Sequence, residues 1–379
     1  MHLVVTGGGT GGHIYPAIAV AKRVLEEVPG AKVTFIGSQT GPEGAAADAA
    51  GIPFIGLEVA GFSGKSPLKA ARAVALFFKA ARQCRQWMKD AGVDCVLGTG
   101  GYASAPACLA ARRLRVPLVI HEMNYEPGLV TRLFSKRAQA VAVAYAGTAA
   151  LLNAKARTEV TGVPVRPEIE ALSDAAARAG ARLQAQDELR LDPGRRTLLV
   201  FGGSQGAQAL NTALWDALTG IADDKGLQIV HLTGKKNLDD PGRLAAEKAV
   251  QGSFLIYRAI GYRQDIDLMY AASDLALSRA GAGTIAELMA AGLPAVLVPF
   301  PHATGGHQEK NARALEETGA VVVAPQDGAS ASRALDEALR LIRDEKSLAL
   351  MRSAAGKATS ARGAQGIASI VEELTKHES

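Results

Sequence analysis

The sequence has little cysteine, few aromatic residues and no long apolar run, and each scarcity excludes a class of protein. Three of the 379 residues are cysteine, Cys84, Cys95 and Cys108, and their spacing contains no CxxC pair. We therefore expect buried, reduced thiols rather than a disulfide framework or a metal centre. Aromatic residues make up 5% of the chain, while alanine and glycine are abundant, which favours helices and tight turns over a β-sandwich.

Signals for secretion and for membrane insertion are also missing. No apolar run approaches the ~18–20 residues that a membrane-spanning helix needs. The chain runs from Met1 almost directly into glycines, without the basic and apolar stretches of a secretory signal. We expect a protein that is soluble or lies on a membrane surface. The net charge of +5 favours an anionic partner, either a phosphorylated ligand or an anionic membrane surface.

The length and the periodicity predict two α/β domains. A chain of 379 residues is expected to form about two domains. Runs typical of buried strands alternate with helical patterns at Leu3–Thr6, Val33–Gly37, Cys95–Gly98, Leu118–His121, Leu198–Phe201, Gln228–Leu232, Phe254–Tyr257, Leu275–Ser278 and Ala295–Pro299. This alternation predicts doubly wound parallel sheets.

A proline-rich segment, 161–167, is the predicted linker, because proline resists both helix and central strand. We accordingly predict a first domain over 1–163 and a second over 164–345. The remaining segment, 346–379, has a helical pattern, and its placement stays open.

Four glycine-rich segments follow predicted strands: Gly7–His13, Gly98–Tyr102, Gly202–Gly206 and Arg279–Thr284. Glycine lets the backbone approach a ligand, and the N–H groups at the start of a following helix attract an anion. Ligands of open α/β sheets bind at the carboxyl ends of the strands, so these segments predict phosphate binding there. Pro16 is expected at the first position of the first helix, which proline favours.

The first glycine segment also matches the dinucleotide fingerprint G-x-G-x-x-G through Gly7, Gly9 and Gly12. A dinucleotide site needs an acidic residue at the end of the second strand, where the chain has Gly37-Ser38-Gln39. A Walker P-loop needs lysine after the last glycine, where the chain has His13. Both alternatives are therefore disfavoured.

Seven motifs occur in a fixed order between Leu3 and about Ala320. They are Gly7-Gly-Gly-Thr-Gly-Gly-His13, Gly98-Thr-Gly-Gly-Tyr102, His121-Glu-Met-Asn124, Gly162-Val-Pro-Val-Arg166, Gly202-Gly-Ser-Gln-Gly206, Arg279–Glu287 and His307-Gln-Glu-Lys-Asn311. The ordered set resembles the MurG family of UDP-N-acetylglucosamine–N-acetylmuramyl-(pentapeptide) pyrophosphoryl-undecaprenol N-acetylglucosamine transferases. The chain departs from the family at Met123, where glutamine is common, and at Gly305-Gly306, where acidic residues are common.

The resemblance implies a GT-B fold, in which two Rossmann-like domains face each other across a cleft. It implies an inverting transfer of N-acetylglucosamine from UDP-GlcNAc to the muramyl sugar of lipid I, which gives lipid II for peptidoglycan synthesis. The lipid acceptor is then expected on the first domain and the UDP-sugar on the second. The resemblance implies that no cofactor is needed and no metal held by a DxD motif.

The resemblance also implies where the protein works. It predicts a peripheral position on the cytoplasmic face of the cell membrane, with the anionic membrane surface as a partner. Proteins of a cell-wall assembly complex are further partners that the resemblance implies, and no nucleic-acid partner is expected.

The residues expected at the site fall into three groups. The catalytic candidates are His13 and Glu122. The acceptor-binding candidates are Gly9, Gly100, Gly101 and Tyr102. The donor-binding candidates are Thr10, Gly11, Gly12, Asn124, Arg166, Ser204, Arg263, Gly281, Ala282, Gly283, Thr284, Ile285, Ala286, Glu287 and Gln308.

Several of these residues carry an alternative interpretation. His13 suits the removal of a proton near neutral pH, but a histidine there could also only shape the glycine loop; Glu122 is the competing base. Glu287 is expected to accept hydrogen bonds from the uridine ribose, yet it also fits a capping box with Thr284. Arg166 suits the leaving diphosphate, although a surface arginine at a domain boundary is the simpler interpretation.

The segment Pro67–Lys89 has the pattern of an amphipathic helix. One stripe contains Val74, Phe77, Ala81, Cys84 and Met88, a second contains Arg72, Lys79, Arg82 and Lys89, and Leu76, Phe78 and Trp87 lie outside the first stripe. A basic helix with additional apolar residues suits an anionic leaflet. The alternative is an ordinary helix whose apolar side faces the core.

Three other functions share this expected fold. They are a glycosyltransferase with another acceptor or nucleotide sugar, a UDP-sugar epimerase, and a UDP-sugar-binding protein without activity. An epimerase would require further acid and base side chains that the sequence does not identify.

Overall fold

The computed structural model describes residues 1–9, 11–61, 67–152, 157–203, 206–324, 330–358 and 363–376. The chain divides into two compact units, the first formed by Met1–Arg166 with Arg362–Ser379 and the second by Pro167–Ala361. The division at Arg166 falls at the end of the proline-rich segment. The C-terminal segment predicted from residue 346 is shared between the two units rather than forming a part of its own.

The first unit contains a parallel sheet of seven strands among the described residues. Its strands are β1 (His2–Thr6), β2 (Lys32–Ser38), β3 (Phe54–Leu57), β4 (Cys95–Gly98), β5 (Leu118–Glu122), β6 (Ala140–Val143) and β7 (Arg157–Val160). The order across the sheet is β3-β2-β1-β4-β5-β6-β7. The order reverses between β1 and β4, which is where ligands of doubly wound sheets bind.

Helices cover both faces of this sheet. They are α1 (Gly11–Glu27), α2 (Glu43–Ala49), α3 (Pro67–Ala91), α4 (Ala105–Leu114), α5 (Leu129–Phe134), α6 (Ala146–Leu151) and, from the end of the chain, α16 (Gly363–Lys376). Successive residues of β1 face opposite cores: Leu3 and Val5 pack with α1 and α16, while Val4 packs with α3 and α4. A strand buried on both faces reads as a continuous apolar run, as the sequence of β1 does.

The return of α16 to the first unit depends on a close approach of two backbones. A Cβ on Gly363 would lie 2.6 Å from the carbonyl carbon of Val163, so a residue with a side chain would push the two segments apart. Ile367 and Val371 of α16 are fully buried in the core beside β1. Burial of each contributes roughly 1.5–3 kcal/mol, which holds this distant segment on the first unit.

The second unit repeats the arrangement with six described parallel strands. They are β8 (Arg196–Phe201), β9 (Leu227–Leu232), β10 (Ile256–Ile260), β11 (Leu275–Ser278), β12 (Ala295–Leu297) and β13 (Val321–Val323), in the order β10-β9-β8-β11-β12-β13. The order reverses between β8 and β11. The fold class predicted from the sequence, two Rossmann-like α/β units, is confirmed.

The helices of the second unit are α7 (Pro167–Glu170), α8 (Ala175–Leu189), α9 (Gln208–Ala217), α10 (Pro241–Ala249), α11 (Ile266–Ala272), α12 (Ala282–Ala290), α13 (His307–Glu316), α14 (Ser330–Arg343) and α15 (Glu345–Ala358). Helix α14 carries Leu335 and Leu339 into the core that Leu198 and Leu277 of the central strands also line. Asp174 caps α8, because its carboxylate accepts a hydrogen bond from the Ala177 N–H at 2.9 Å.

Two local predictions are wrong. Pro16 lies inside α1, because the helix already begins at Gly11 within the glycine segment. The predicted strand Phe254–Tyr257 begins later, since β10 spans Ile256–Ile260 and Phe254 is 51% exposed. In both places the apolar or glycine pattern identified the element but not its first residue.

The predicted helix over Pro67–Lys89 is present as α3, but its buried stripe differs from the prediction. Cys84 and Met88 are buried as expected, whereas Val74 is 44% exposed. Ala73 and Ala80 occupy the buried positions in this half, and small residues let α3 approach its neighbours closely. Trp87 packs against the core instead of adding to the outer surface.

None of the described helices is both long enough and apolar enough to cross a membrane.

Candidate functional site

In the first unit, the loops that follow β1 and β4 pack directly on each other. The Gly8 N–H donates to the Gly100 carbonyl oxygen at 3.3 Å. A Cβ on Gly101 would lie 2.0 Å from the Gly8 carbonyl oxygen, and Gly101 has φ +79°, so only glycine fits. This contact explains why both segments are glycine-rich, and it brings two of the predicted motifs together.

His13 lies in the first turn of α1 and is held by the second loop. Its Nδ1 lies 2.8 Å from the Thr99 carbonyl oxygen, and the Thr99 hydroxyl donates to the His13 carbonyl oxygen at 2.6 Å. A carbonyl can only accept, so in the neutral imidazole Nδ1 carries the proton and Nε2 carries the lone pair. One nitrogen therefore anchors the loop, and the other has the electronic form of a base.

The predicted acceptor residues lie in the two loops that contact each other beside His13. A Cβ on Gly100 would lie 3.0 Å from His13 Nδ1, and a Cβ on Gly9 would lie 3.5 Å from the Tyr102 ring. Tyr102 is 36% exposed, so its ring can contact a ligand. The structure thus brings Gly9 against Tyr102 and Gly100 against His13, in the two loops that contact each other. Gly11 and Gly12 begin α1 beside them, and Thr10 lies outside the described residues.

Sequence reasoning missed Glu43, which lies beneath the first glycine loop. Its side chain is fully buried, and Oε1 accepts a hydrogen bond from the Gly9 N–H at 3.0 Å. The N–H groups of Gly8 and Gly9 are therefore used inside the unit and are not directed at a ligand. The sequence shows Glu43 only as an acidic residue after Gly41-Pro42, which is typical of any helix start.

The end of β5 carries two buried titratable residues. His121 has no exposed surface, its Nε2 lies 3.1 Å from the Gly162 carbonyl oxygen, and burial lowers its pKa to about 4. Glu122 is 3% exposed, and each of its oxygens accepts two hydrogen bonds. The donors are the backbone and side-chain N–H groups of Asn124, the Gly128 N–H and the Thr131 hydroxyl, at 2.6–3.0 Å.

These four donors occupy the hydrogen-bonding positions of both Glu122 oxygens, so neither oxygen is accessible to a substrate hydroxyl. These contacts hold the Glu122 side chain against the loop that leads from β5 to α5. Of the two predicted bases, the geometry therefore favours His13. Asn124 is part of this loop, with its side-chain amide on Glu122.

Arg166 ends the first unit and lies near the start of α1. Its guanidinium carbon stands 5.4 Å from the centre of the Tyr15 ring, a cation–π contact. Tyr15 is 40% exposed, and a Cβ on Gly11 would lie 3.2 Å from its ring, so this contact places Arg166 near the first residue of α1. Tyr15 carried no signal in the sequence.

In the second unit, the loop after β11 leads into α12. Gly281 precedes the helix, and the first hydrogen bond within it runs from the Ile285 N–H to the Gly281 carbonyl oxygen at 2.9 Å. The N–H groups of Ala282, Gly283 and Thr284 have no partner within the helix, as at every helix start. Such a start attracts anions.

Glu287 does not form a capping box. That interpretation needs Thr284 as the N-cap, but α12 begins at Ala282 and the N-cap is Gly281, so the alternative is wrong. Glu287 lies in the second turn, where its Oε2 accepts a hydrogen bond from the Tyr270 hydroxyl at 3.0 Å. Tyr270 is 2% exposed and orients the carboxylate from the interior side.

Gln308 lies in the first turn of α13. Its Oε1 accepts a hydrogen bond from the Phe300 N–H at 2.8 Å, which fixes the amide orientation and directs its NH₂ group away from that contact. Arg279 binds the residues just before Phe300: its Nη1 donates to the Val298 and Pro299 carbonyl oxygens at 3.2 Å. Burial lowers the pKa of Arg279.

The last two donor candidates behave differently. Arg263 is paired with two carboxylates: Nε donates to Asp265 at 2.8 Å and Nη2 to Glu188 at 2.7 Å. The hydrogen bond from Arg263 lowers the pKa of Asp265, and contacts with Gln184 and Arg263 lower that of Glu188. Two carboxylates thus already balance the charge of the Arg263 guanidinium, which makes it less suited to bind a diphosphate. Ser204 lies outside the described residues.

The cysteines are free and buried, as predicted. Burial raises the pKa of Cys84 and of Cys108 to about 12, so neither thiol ionises near neutral pH. No group of three histidine, cysteine, aspartate or glutamate side chains within the described part of the chain could hold a metal ion.

Comparison with known proteins identifies relatives of both units. Residues 3–143 match the glycosyltransferase family 28 N-terminal domain, and residues 197–367 match the C-terminal domain of that family. The chain is 38% identical to the UDP-N-acetylglucosamine–N-acetylmuramyl-(pentapeptide) pyrophosphoryl-undecaprenol N-acetylglucosamine transferase of Clavibacter michiganensis, over 98% of this chain and 95% of that protein. The enzyme of the same name from Desulfitobacterium hafniense is 37% identical over 85% of each chain.

Solved structures show the same fold. The crystal structure of Acinetobacter baumannii MurG superposes with a TM-score of 0.73 at 28% identity and covers 98% of this chain and 99% of that one. A UDP-GlcNAc 2-epimerase from Neisseria meningitidis superposes with a TM-score of 0.69 at 15% identity, over 98% of this chain and all of that one. At 15% identity the second likeness shows the fold alone.

Proposed function

Because the chain belongs to the MurG family of glycosyltransferases, we propose that it transfers N-acetylglucosamine from UDP-GlcNAc to the muramyl sugar of lipid I. The product is lipid II, and the role is in peptidoglycan synthesis. The transfer inverts the anomeric centre by direct displacement, with the acceptor hydroxyl as nucleophile and UDP as leaving group.

The observation that carries this proposal is the geometry of His13. The Thr99 carbonyl fixes the proton on Nδ1, and the lone pair on Nε2 takes the proton of the attacking sugar hydroxyl as the new bond forms. The surrounding glycines, Gly9, Gly100 and Gly101, admit the acceptor, and Tyr102 packs against it. Glu122 keeps the neighbouring loop in shape and takes no part in proton transfer.

The donor is assigned mainly to the second unit. The N–H groups of Ala282, Gly283 and Thr284 meet its diphosphate and stabilise the charge that grows on UDP as the glycosidic bond breaks. Glu287, oriented by Tyr270, accepts hydrogen bonds from the ribose hydroxyls.

Other donor contacts follow the family assignment. The Gln308 amide donates to the N-acetylglucosamine hydroxyls, and Ile285 and Ala286 continue the helix that carries the binding groups. Asn124 contacts the sugar, and Arg166 contacts the diphosphate together with the start of α1 at Gly11 and Gly12. Thr10 and Ser204 are assigned by family resemblance alone.

We also propose that the enzyme is a peripheral protein of the cytoplasmic face of the cell membrane, where its lipid acceptor resides. Helix α3 supports this: Val74 and Phe78 are 44% and 56% exposed, and basic side chains such as Arg72 and Arg82 are exposed on the same helix. Exposed apolar side chains among basic ones suit an anionic leaflet. Contacts with cell-wall assembly proteins remain part of this proposal.

The test is an incubation of the purified protein with labelled UDP-GlcNAc and a short-chain lipid I analogue. We expect label to enter the lipid product and one UDP to be released for each transfer. An epimerised sugar nucleotide formed without acceptor would identify an epimerase instead. UDP-GlcNAc binding without any turnover, with both substrates present, would identify a binding protein and overturn the proposal.

A further inference from the structure

The second unit contains a pocket of about 180 Å³ at the C-terminal end of α12, the end opposite the proposed donor site. Arg178 and Arg182 of α8 line one side, and Arg352 of α15 lines another. Asp274 lies at the start of β11, and Gly292 follows α12. None of these residues takes part in the proposed transfer, so the pocket needs a separate explanation.

The charges around this pocket do not balance. Asp274 is the one acidic residue of its lining, and its side chain is 4% exposed. The carboxylate already accepts the Thr197 N–H at 2.9 Å. Arg182 and Arg352 contact it at 3.5 and 3.3 Å, longer than the usual charge-assisted hydrogen bond.

A fourth arginine outside the lining, Arg196, also contacts Asp274, at 3.5 Å, and pairs with Glu345 as well. The Asp274 carboxylate therefore contacts two of the three lining guanidinium groups, those of Arg182 and Arg352, and also Arg196 outside the lining. Neutralisation of this cluster requires further negative charge.

Arg178 is the clearest case of an unbalanced charge. Its Nε donates to the Leu172 carbonyl oxygen at 2.9 Å, and no carboxylate of the described residues lies within ion-pair distance of it. Burial, followed by the positive charge of Arg352, lowers its pKa, but arginine stays protonated in proteins. A half-buried cation beside other cations is unfavourable unless an anion joins it.

The backbone is shaped to receive the Arg178 side chain. Gly292 has φ +58°, and a Cβ there would lie 2.8 Å from Arg178 Nη2. The glycine thus allows the guanidinium plane to lie against the chain after α12. The Nη groups of Arg178 therefore lie close to the backbone of Gly292 at the pocket wall.

We propose that this pocket binds a small phosphate-bearing anion between Arg178, Arg182 and Arg352. The planar guanidinium fork matches the oxygens of a phosphate and binds them in pairs. A volume of about 180 Å³ is below the ~300–1,000 Å³ of sites for drug-sized ligands, so it admits one phosphate group rather than a nucleotide. The anion supplies the negative charge that Asp274 alone does not.

The site has a direct structural connection to the proposed donor site. Tyr270 lines the pocket, and its hydroxyl donates to Glu287. An anion that shifts Tyr270 therefore changes the hydrogen bond that orients Glu287, the carboxylate assigned to the ribose. This connection rests on the proposed function, whereas the anion site itself does not.

Titration with inorganic phosphate tests the proposal. The full chain is measured with saturating UDP, which keeps the proposed donor site occupied, and sodium chloride at equal ionic strength is the reference. We expect phosphate to raise the melting temperature above the chloride reference and to bind measurably by calorimetry. Arg178→Gln should weaken phosphate binding roughly 10-fold or more, because it removes charge-assisted hydrogen bonds.

Two controls separate anion binding from a structural role of the arginines. Arg340→Gln removes an exposed arginine of the same unit that pairs with Glu337, and it should keep the phosphate effect. In phosphate-free buffer, Arg178→Gln should melt no lower than the unsubstituted chain, since it removes an unbalanced charge. A lower melting temperature there, together with an unchanged phosphate affinity, would show a purely structural arginine and overturn the proposal.

The absence of any phosphate effect beyond chloride would overturn it as well. If UDP fails to bind, the proposed donor site is wrong, while the phosphate titration still decides the anion site. Vesicles of phosphatidylglycerol replace phosphate in a second arm. Vesicle binding that Arg178→Gln weakens identifies a lipid phosphate as the source, and protection by inorganic phosphate alone identifies a free phosphate.

Discussion

The points at which strand order reverses in the two sheets have the same topology but are built differently. In the first unit, polar side chains satisfy much of the loop from within: Glu43 holds the Gly9 N–H, and Thr99 binds the backbone and the ring of His13. In the second unit, α12 begins after Gly281 without a side-chain cap, so no N-cap side chain binds the first N–H groups, which every helix leaves without a partner of its own.

This difference indicates a division of work. A loop that uses its own N–H groups internally is rigid and offers one oriented imidazole, which suits chemistry. A helix start without a side-chain cap, with Glu287 in the next turn, offers several donors and one acceptor, which suits binding. Substitution of His13 should therefore change turnover, and substitution of Glu287 should change donor affinity.

The largest expected effect is at His13. A positioned base contributes typically 10²–10⁴-fold in rate, so His13→Ala should lower turnover at least ~100-fold and leave UDP-GlcNAc affinity nearly unchanged. His13→Asn is the matched control, because its amide can still donate to the Thr99 carbonyl oxygen. Turnover with the lipid I analogue and calorimetry with UDP-GlcNAc measure the two quantities.

The asparagine variant decides between the two interpretations of His13. Equal loss of turnover in both variants would support proton removal by Nε2. Near-normal turnover of His13→Asn would show that the residue only shapes the loop. The catalytic role assigned to the first unit would then be wrong.

A smaller effect is expected at Glu287. Glu287→Ala should weaken UDP binding roughly 10-fold, since hydrogen bonds to a charged group contribute about 1.5–3 kcal/mol each. Tyr270→Phe keeps the carboxylate and removes its orienting hydroxyl, so we expect a loss of only about fivefold. Calorimetry with UDP alone provides the measurement, and Glu317→Ala, at an exposed position of the same unit, is the control.

A capping box with Thr284 would make Glu287 important for the stability of α12. The structure has Gly281 as the N-cap instead, so no such destabilisation is expected. Unchanged UDP affinity in Glu287→Ala would place the ribose elsewhere. Gln308→Ala should retain UDP affinity and relax the choice of sugar, which competition between UDP-GlcNAc and other UDP-sugars measures.

The smallest effect concerns the outer surfaces of the two units. Replacing Val74 and Phe78 by serine should reduce binding to anionic vesicles about fivefold, because the pair loses ~1 kcal/mol or more of apolar burial. Leu183 and Leu350 of the second unit, 67% and 64% exposed, form the control pair. Co-sedimentation measures both pairs, and equal loss from both would show that α3 has no special role at the membrane.

Local pattern determined most of the framework of this protein. Alternating apolar runs identified the central strands of both sheets, because a strand buried on two faces needs a continuous apolar sequence. Glycines after these strands marked the edge of each sheet where ligands bind. The motif order identified the family, which the relatives confirm.

Only the tertiary structure decided what the individual side chains do. His13 and Thr99 are far apart in sequence, and the hydrogen bond that sets the tautomer exists because β1 and β4 are neighbours. The same holds for Glu43 beneath Gly9 and for α16 beside β1. Periodicity records which face of an element is apolar, but contacts between distant segments depend on strand order and close packing, which no local pattern contains.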